Sequence, residues 1–166
     1  MTKSDHNHSL TSNIKSLTIT ELNIYPVKSL AGISLQSSEM NIKVLKYDRH
    51  WMLVDENNSA LTQRQIKFMA NIRVELTDTD LILCVPNSDF SKLIISLDRP
   101  PTAEININIW EDSFVALLET TDRQGQNISQ WFKTIMVHSL SARELKKYTE
   151  FKLVRMSDTI TRPVDK

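Results

Sequence analysis

A single cysteine, Cys84, occurs among 166 residues, so no intramolecular disulfide can form and a disulfide-stapled secreted scaffold is excluded. Cys84 lies in the apolar run Leu81-Ile82-Leu83-Cys84-Val85, where a buried structural thiol is expected, and its isolation fits a reducing compartment. Glycine is almost as scarce, with only Gly32 and Gly125, which leaves no Gly-rich phosphate loop and no nucleophile elbow. The four histidines, His6, His8, His50 and His138, are isolated, so no paired-histidine zinc motif is present. His6 and His8 alone form a short pair with no third ligand. Charge of one sign is also missing: 20 basic residues balance 20 acidic ones. No global field would then hold nucleic acid or an anionic membrane, and any anion site must be local. Nor does any window approach the roughly 20 apolar residues of a membrane-spanning helix.

What remains is an ordinary globular composition, 40% hydrophobic and 24% charged, long enough for one domain with a core or one domain plus part of a second. Residues 1–13 are polar and lack the features of a secretory signal or an organellar leader. The expectation is a cytoplasmic protein with a disordered tail over residues 1–16.

Up to Asn127, short β-branched-rich runs alternate with turn clusters, which favours an antiparallel, mainly β fold over βαβ units. Strands are expected over residues 17–25, where Pro26 stops ladder donation, and over residues 34–40 and 42–45. Residues 50–55 form another, followed by the turn Glu56-Asn57-Asn58-Ser59. A meander is expected over residues 72–76, 81–85 and 92–97. Gly32 is expected to supply a turn conformation that a side chain would oppose. Arg99-Pro100-Pro101 is the best internal boundary. Beyond it, residues 104–110 alternate strictly and turn at Glu111-Asp112-Ser113 into a second hairpin arm over residues 114–118. The period then changes: Ile128, Trp131, Phe132, Ile135 and Met136 recur at helical spacing behind Asn127, a plausible N-cap. Ser141-Ala142-Arg143-Glu144 fits a capping box opening a short helix through Tyr148, and residues 151–156 read as a last strand.

Among chemistry-bearing residues, Lys28-Ser29 follows Tyr25-Pro26 and precedes the Gly32 turn. An ammonium and a hydroxyl held there suit a phosphate or other oxyanion. Arg49 stands beside Asp48, and two readings fit it: a guanidinium fork that clamps an oxyanion, or a surface ion pair that contributes little. Thr62-Gln63-Arg64-Gln65 either orders its own loop or adds Arg64 as a third positive group. His50, next to Arg49, is expected to be a satisfied structural histidine rather than a general base. The carboxylates Asp78, Asp80, Glu111 and Asp112 fall in expected turns and read as solvated.

Taken jointly, Tyr25-Pro26-Val27-Lys28-Ser29 with Gly32, Tyr47-Asp48-Arg49 with Trp51-Met52-Leu53-Val54-Asp55, and Thr62-Gln63-Arg64-Gln65 with Met69-Ala70 resemble the N-terminal β-barrel of the MOSC-domain molybdenum-cofactor proteins. The likeness runs from about Leu17 to Leu97 and continues more loosely through Ile109-Trp110, Gln130-Trp131-Phe132 and Arg162-Pro163-Val164-Asp165. It implies a barrel domain over residues 17–99 and the start of a MOSC domain over residues 100–166. It also implies a molybdenum cofactor of the molybdopterin type, contacted by Lys28, Ser29 and Arg49, and reduction of N-hydroxylated compounds with electrons from a redox partner. A family-level association with pyridoxal phosphate goes with it. In that family the molybdenum-ligating cysteine lies downstream of the segment present here, and Cys84 matches no ligand motif, so no metal ligand and no catalytic residue is assigned and the chain is expected to be inactive alone. Val44, just before Leu45, departs from the family, whose members commonly carry glycine there. The rival reading is a stand-alone, non-catalytic barrel that binds an anion or a partner.

Overall fold

The computed structural model describes residues 18–40 and 45–157. The tail over residues 1–16 with His6 and His8, the Val44 position, and Arg162-Pro163-Val164-Asp165 lie outside the described residues.

The architecture is mainly antiparallel β, as the alternation implied. Strands β1 (Asn23–Ile24) and β2 (Ile33–Ser34) form a small ribbon. Strand β3 (Trp51–Val54) lies at one edge of a four-stranded sheet and is followed by a 3-10 turn at Lys67–Asn71. The meander β4 (Arg73–Leu76), β5 (Asp80–Cys84) and β6 (Leu93–Ser96) makes a separate three-stranded sheet. The hairpin β7 (Glu104–Ile109) and β8 (Asp112–Glu119) leads to helix α1 (Ile128–Ser139), the short helix α2 (Ala142–Leu145) and the last strand β9 (Lys152–Arg155). The larger sheet runs β3-β9-β8-β7, so strands from both sides of Arg99-Pro100-Pro101 pair in one ladder. Its two edges approach each other where the Ala60 amide donates to the Asn108 carbonyl at 2.9 Å and the Asn108 amide to the Asn58 carbonyl at 2.8 Å. This is a bridge rather than a paired strand, so the barrel is not closed.

Strand β3 explains why there are two cores. All of its residues are buried: Trp51 and Leu53 point into the larger core with the meander and α1, while Met52 and Val54 point into the smaller core inside the curled sheet. A strand covered on both faces has no need of alternating polarity. The larger core holds Phe132 and Ile135 of α1 together with Leu81 and Leu83 of β5 and Phe151. The smaller core holds Ile107, Phe114, Ala116 and Val154. Helix α1 starts where expected, because the Asn127 side chain accepts from the Gln130 amide at 2.8 Å. The Ser141/Glu144 capping box is also present.

Four expectations need correction. Within the extended stretch proposed for residues 17–25, only Asn23–Ile24 is strand among the described residues, since its ladder is with the two-residue β2 alone, and the Tyr25 amide turns to the Asp48 carboxylate at 2.8 Å, which ends the ladder there. The stretch over residues 34–40 pairs only at Ile33–Ser34 and at an isolated Met40/Leu45 bridge, since alternation marks extended backbone but a ladder needs a partner. Helix α2 stops at Leu145 instead of Tyr148, where amides bond three residues back, from Lys147 to Glu144 and from Tyr148 to Leu145. Cys84 is half-buried: β5 sends Leu81 and Leu83 inward and places Ile82 and Cys84 on the other face.

The feature that fastens the two sheets together was not visible in the pattern. Glu119 and Arg155 are only 6% and 4% exposed. Arg155 Nε donates to Glu119 Oε1 at 2.7 Å, and the indole Nε1 of Trp51 donates to the same oxygen at 3.2 Å. The guanidinium lies 5.1 Å from the Trp51 ring centroid and donates to the carbonyls of Ser96 at 2.5 Å and Leu97 at 3.3 Å. Strands β3, β8 and β9 are thus joined to the end of β6. Arg155→Met would strand a buried carboxylate, and unfolding by denaturant is expected to show a loss of about 3–5 kcal/mol.

Burial pushes the Glu119 carboxyl above its ordinary value of 4.5, with Arg155 and Trp51 opposing that shift. The folded chain therefore holds the Glu119 proton to higher pH than the unfolded chain does. Stability from this group falls as pH rises from the ordinary carboxylate value through the raised one. Removing the titration with Glu119→Gln is expected to shrink the stability gap to wild type as pH rises through that window; a pH-independent gap in paired unfolding curves would contradict the assignment.

Candidate functional site

Pro26 cannot donate to a ladder, but its carbonyl accepts from the Trp51 amide at 3.0 Å, and the Lys28 amide donates to the Trp51 carbonyl at 2.8 Å. These bonds make a parallel bridge between Val27 and Trp51. One step away, the Arg49 amide donates to the Tyr25 carbonyl at 2.9 Å. The Tyr-Pro-Val-Lys-Ser and Asp-Arg segments are therefore laid side by side by backbone bonds, and Lys28, Ser29 and Arg49 come from adjoining turns.

Asp48 fastens the pair. Its Oδ1 accepts from the Tyr25 amide at 2.8 Å and its Oδ2 accepts from Arg49 Nη1 at 2.5 Å. The carboxylate is mostly covered, with its side chain 11% exposed, whereas that of Arg49 is 64% exposed. The ion pair of Asp48 with Arg49 is present, and it occupies one edge of a guanidinium that carries five N–H donors. Asp48 acts mainly as a splint that positions Arg49.

Both turns are built at a conformational cost. Ser29 has φ 68°, Tyr47 φ 64° and Arg49 φ 53°, all in the left-handed region that side chains oppose. Gly32 does not take such a φ. Its role is room, because a Cβ there would sit 2.8 Å from Cε1 of the Tyr25 ring. The expected glycine turn is replaced by a serine in the left-handed conformation and a glycine under an aromatic ring. Ser29 is half-buried, and among the described residues no protein group hydrogen-bonds its hydroxyl.

Lys28 is half-buried and its Nζ lies over the Trp110 ring, 5.6 Å from the centroid. Trp110, at the tip of the β7–β8 hairpin, was read from sequence only as the end of an alternating strand. It is 80% exposed and has φ 56°. The available signal was a large aromatic residue in the two-residue connection between Ile109 and Asp112, a place where glycine or asparagine is usual.

Thr62-Gln63-Arg64-Gln65 orders its own loop: Gln65 Oε1 accepts from the Thr62 amide at 2.9 Å and from its hydroxyl at 2.8 Å, and the Gln65 and Ile66 amides bond back to the Thr62 carbonyl. Arg64 is exposed. The His50 ring meets Trp51 edge-on at 4.7 Å and Tyr47 at 6.1 Å, in keeping with a structural role.

The chain is thus a barrel-like β domain with an ammonium, a hydroxyl and a guanidinium carried on two adjoining strained turns. The family model for the MOSC N-terminal beta barrel domain matches residues 16–139, and the chain belongs to that family. Among curated relatives, mitochondrial amidoxime reducing component 2 of Bos taurus is 29% identical over 154 residues, covering 90% of this chain and 43% of that protein. The molybdenum cofactor sulfurase of Drosophila willistoni is 34% identical over 92 residues, covering 55% of this chain and 10% of that protein. That of Drosophila grimshawi is 37% identical over 79 residues, covering 48% and 10%. The chain thus spans less than half the length of each of these relatives.

Replacing Ser29 by glycine relieves the left-handed strain while deleting the hydroxyl. Ser29→Gly is expected to leave the thermal midpoint unchanged or higher, whereas Ser29→Val, β-branched at the same φ, is expected to cost at least about 1 kcal/mol. A clear loss in the glycine variant would show that the serine side chain is there for folding.

Proposed function

We propose that this chain supplies one wall of a molybdenum-cofactor site, in which Lys28, Ser29 and Arg49 hold the phosphate-bearing organic part of the cofactor. The observation that supports the reading is the backbone pairing of residues 25–28 with residues 49–51, which sets the segments carrying the three side chains next to each other. The chemistry of the donors fits the group: an ammonium supplies a mobile point charge, a guanidinium a planar fork, and a hydroxyl a short-range donor, and all three suit a phosphate ester with polar ring edges. Among the described residues no three His, Cys, Asp or Glu side chains are grouped to hold a metal ion. The role proposed for this chain is toward the organic portion of the cofactor.

The names of the relatives support the same reading, since they concern the molybdenum cofactor and amidoxime reduction. In a complete protein the bound group would supply two-electron redox chemistry at the metal. This chain's residues would bind and orient it, toward the reduction of N-hydroxylated compounds with electrons from a partner protein. The lone, half-buried Cys84 accords with a reducing, cytoplasmic setting. No helix among the described residues is long and apolar enough to cross a membrane.

Calorimetric titration with a pterin bearing a phosphate ester tests the site. Lys28→Ala and Arg49→Ala are each expected to weaken binding by about 10-fold or more, the scale of one charge-assisted hydrogen bond. Affinity should also fall between low and physiological salt, since Arg49 is exposed. Binding indifferent to both substitutions and to salt would overturn the assignment.

A further inference from the structure

Trp110 remains unexplained by folding. It is a large apolar side chain left 80% in water, at a backbone angle of φ 56°. Two costs at one position, exposure and strain, are seldom retained without a contact that uses them. Packing does not account for Trp110, whose neighbours in the hairpin, Ile109 and Phe114, are buried in the smaller core. The other two tryptophans behave differently: Trp51 and Trp131 are buried, and their indole N–H groups donate to Glu119 at 3.2 Å and to the Ser91 carbonyl at 2.7 Å.

The surroundings of Trp110 say what the contact is. One face of the indole carries the Lys28 ammonium, 5.6 Å from the ring centroid, and Lys28 is joined through its amide to Trp51, two residues from Arg49. The hairpin tip therefore lies beside the segment that carries Lys28 and Ser29. A cation over an aromatic face is held loosely in direction but firmly in place. A flat ligand ring laid on the exposed part of the indole would put an attached anion within reach of that same ammonium. Stacking on an indole selects for flat, π-rich rings, and the ammonium selects for negative charge, so together they recognise a heteroaromatic ring bearing a phosphate ester.

We propose that Trp110 is a ligand-binding residue, the aromatic platform of the Lys28/Ser29/Arg49 site, and that it stacks on the pterin ring of a phosphorylated pterin. The inference rests on the anion-site reading above, and the test separates the two. The indole N–H resonances of the full chain are followed by NMR, with the Trp110 signal assigned from Trp110→Phe, and the amides of Ser29 and Arg49 are followed in the same spectra. Two probes are used, inorganic phosphate and a pterin bearing a phosphate ester.

Phosphate is expected to move the Ser29 and Arg49 amides and to leave the Trp110 indole nearly still. The phosphorylated pterin should move all three and shift the Trp110 indole upfield, as ring stacking requires. Trp110→Gly, which suits the turn and so retains the fold, should weaken the phosphorylated pterin about 10-fold while changing phosphate binding by less than about 2-fold. If the phosphorylated pterin moves the Ser29 and Arg49 amides but not the Trp110 indole, or binds Trp110→Gly as tightly as wild type, the anion site stands and the platform is overturned. If neither probe moves the amides, both fail.

Discussion

The buried carboxylate of Glu119 is the point on which the rest of the molecule depends. A carboxylate in a protein interior is tolerated only if it is paired and hydrogen-bonded, and here the partners come from different places: the Arg155 guanidinium on β9 and the Trp51 indole on β3. Arg155 extends the link to the Ser96 and Leu97 carbonyls at the end of the meander. One charge thereby joins both sheets. Ion pairs of this kind add little net stability compared with an apolar replacement, but losing one member is costly. Their effect is to fix which strand lies where.

That fixation reaches the candidate site through Trp51. Its side chain is held by Glu119 and its backbone holds the Pro26-Val27-Lys28 segment, through the Pro26 carbonyl and the Lys28 amide. Arg49 is fastened to the same segment by its own amide and by Asp48. Strand β3 begins at Trp51, and the turns with left-handed Ser29 and Arg49 are bonded to the backbone beside it. A left-handed backbone at a serine and an arginine costs free energy that a glycine would avoid. Both lie in the adjoining turns that carry Lys28, Ser29 and Arg49.

Much of the fold was legible because local chemistry specified it. Strand β3, the meander and the β7–β8 hairpin follow from β-branched runs bounded by turn residues, and α1 follows from the spacing of Ile128, Phe132 and Ile135 behind the Asn127 cap. Other features depend on contacts remote in sequence and left no local trace. The early strand was overread because its ladder is with the two-residue β2 alone, and Cys84, expected to be buried, is half-buried because an apolar run does not show which alternate residues point inward. Gly32 was rightly singled out, but the requirement is space for the Tyr25 ring instead of a turn angle. For the site, the motifs nominated Lys28, Ser29 and Arg49, and their adjacency needed the Val27/Trp51 bridge to be seen. Glu119 and Arg155 carried no signal: each reads as an ordinary residue until its partner from another element is known, whereas Trp110 was marked only by its place in a two-residue hairpin connection.

Membership of the MOSC N-terminal barrel family and the geometry around Trp51 therefore meet in one account, in which a buried ion pair holds the frame and two strained turns display the donors. Residue-resolved hydrogen exchange on wild type and Glu119→Gln tests that link most directly. The account predicts that protection at the Lys28 and Trp51 amides falls markedly in the variant, while the paired amides of β4 and β5 keep theirs. Unchanged protection at Lys28 and Trp51, or an equal loss across every strand, would contradict it.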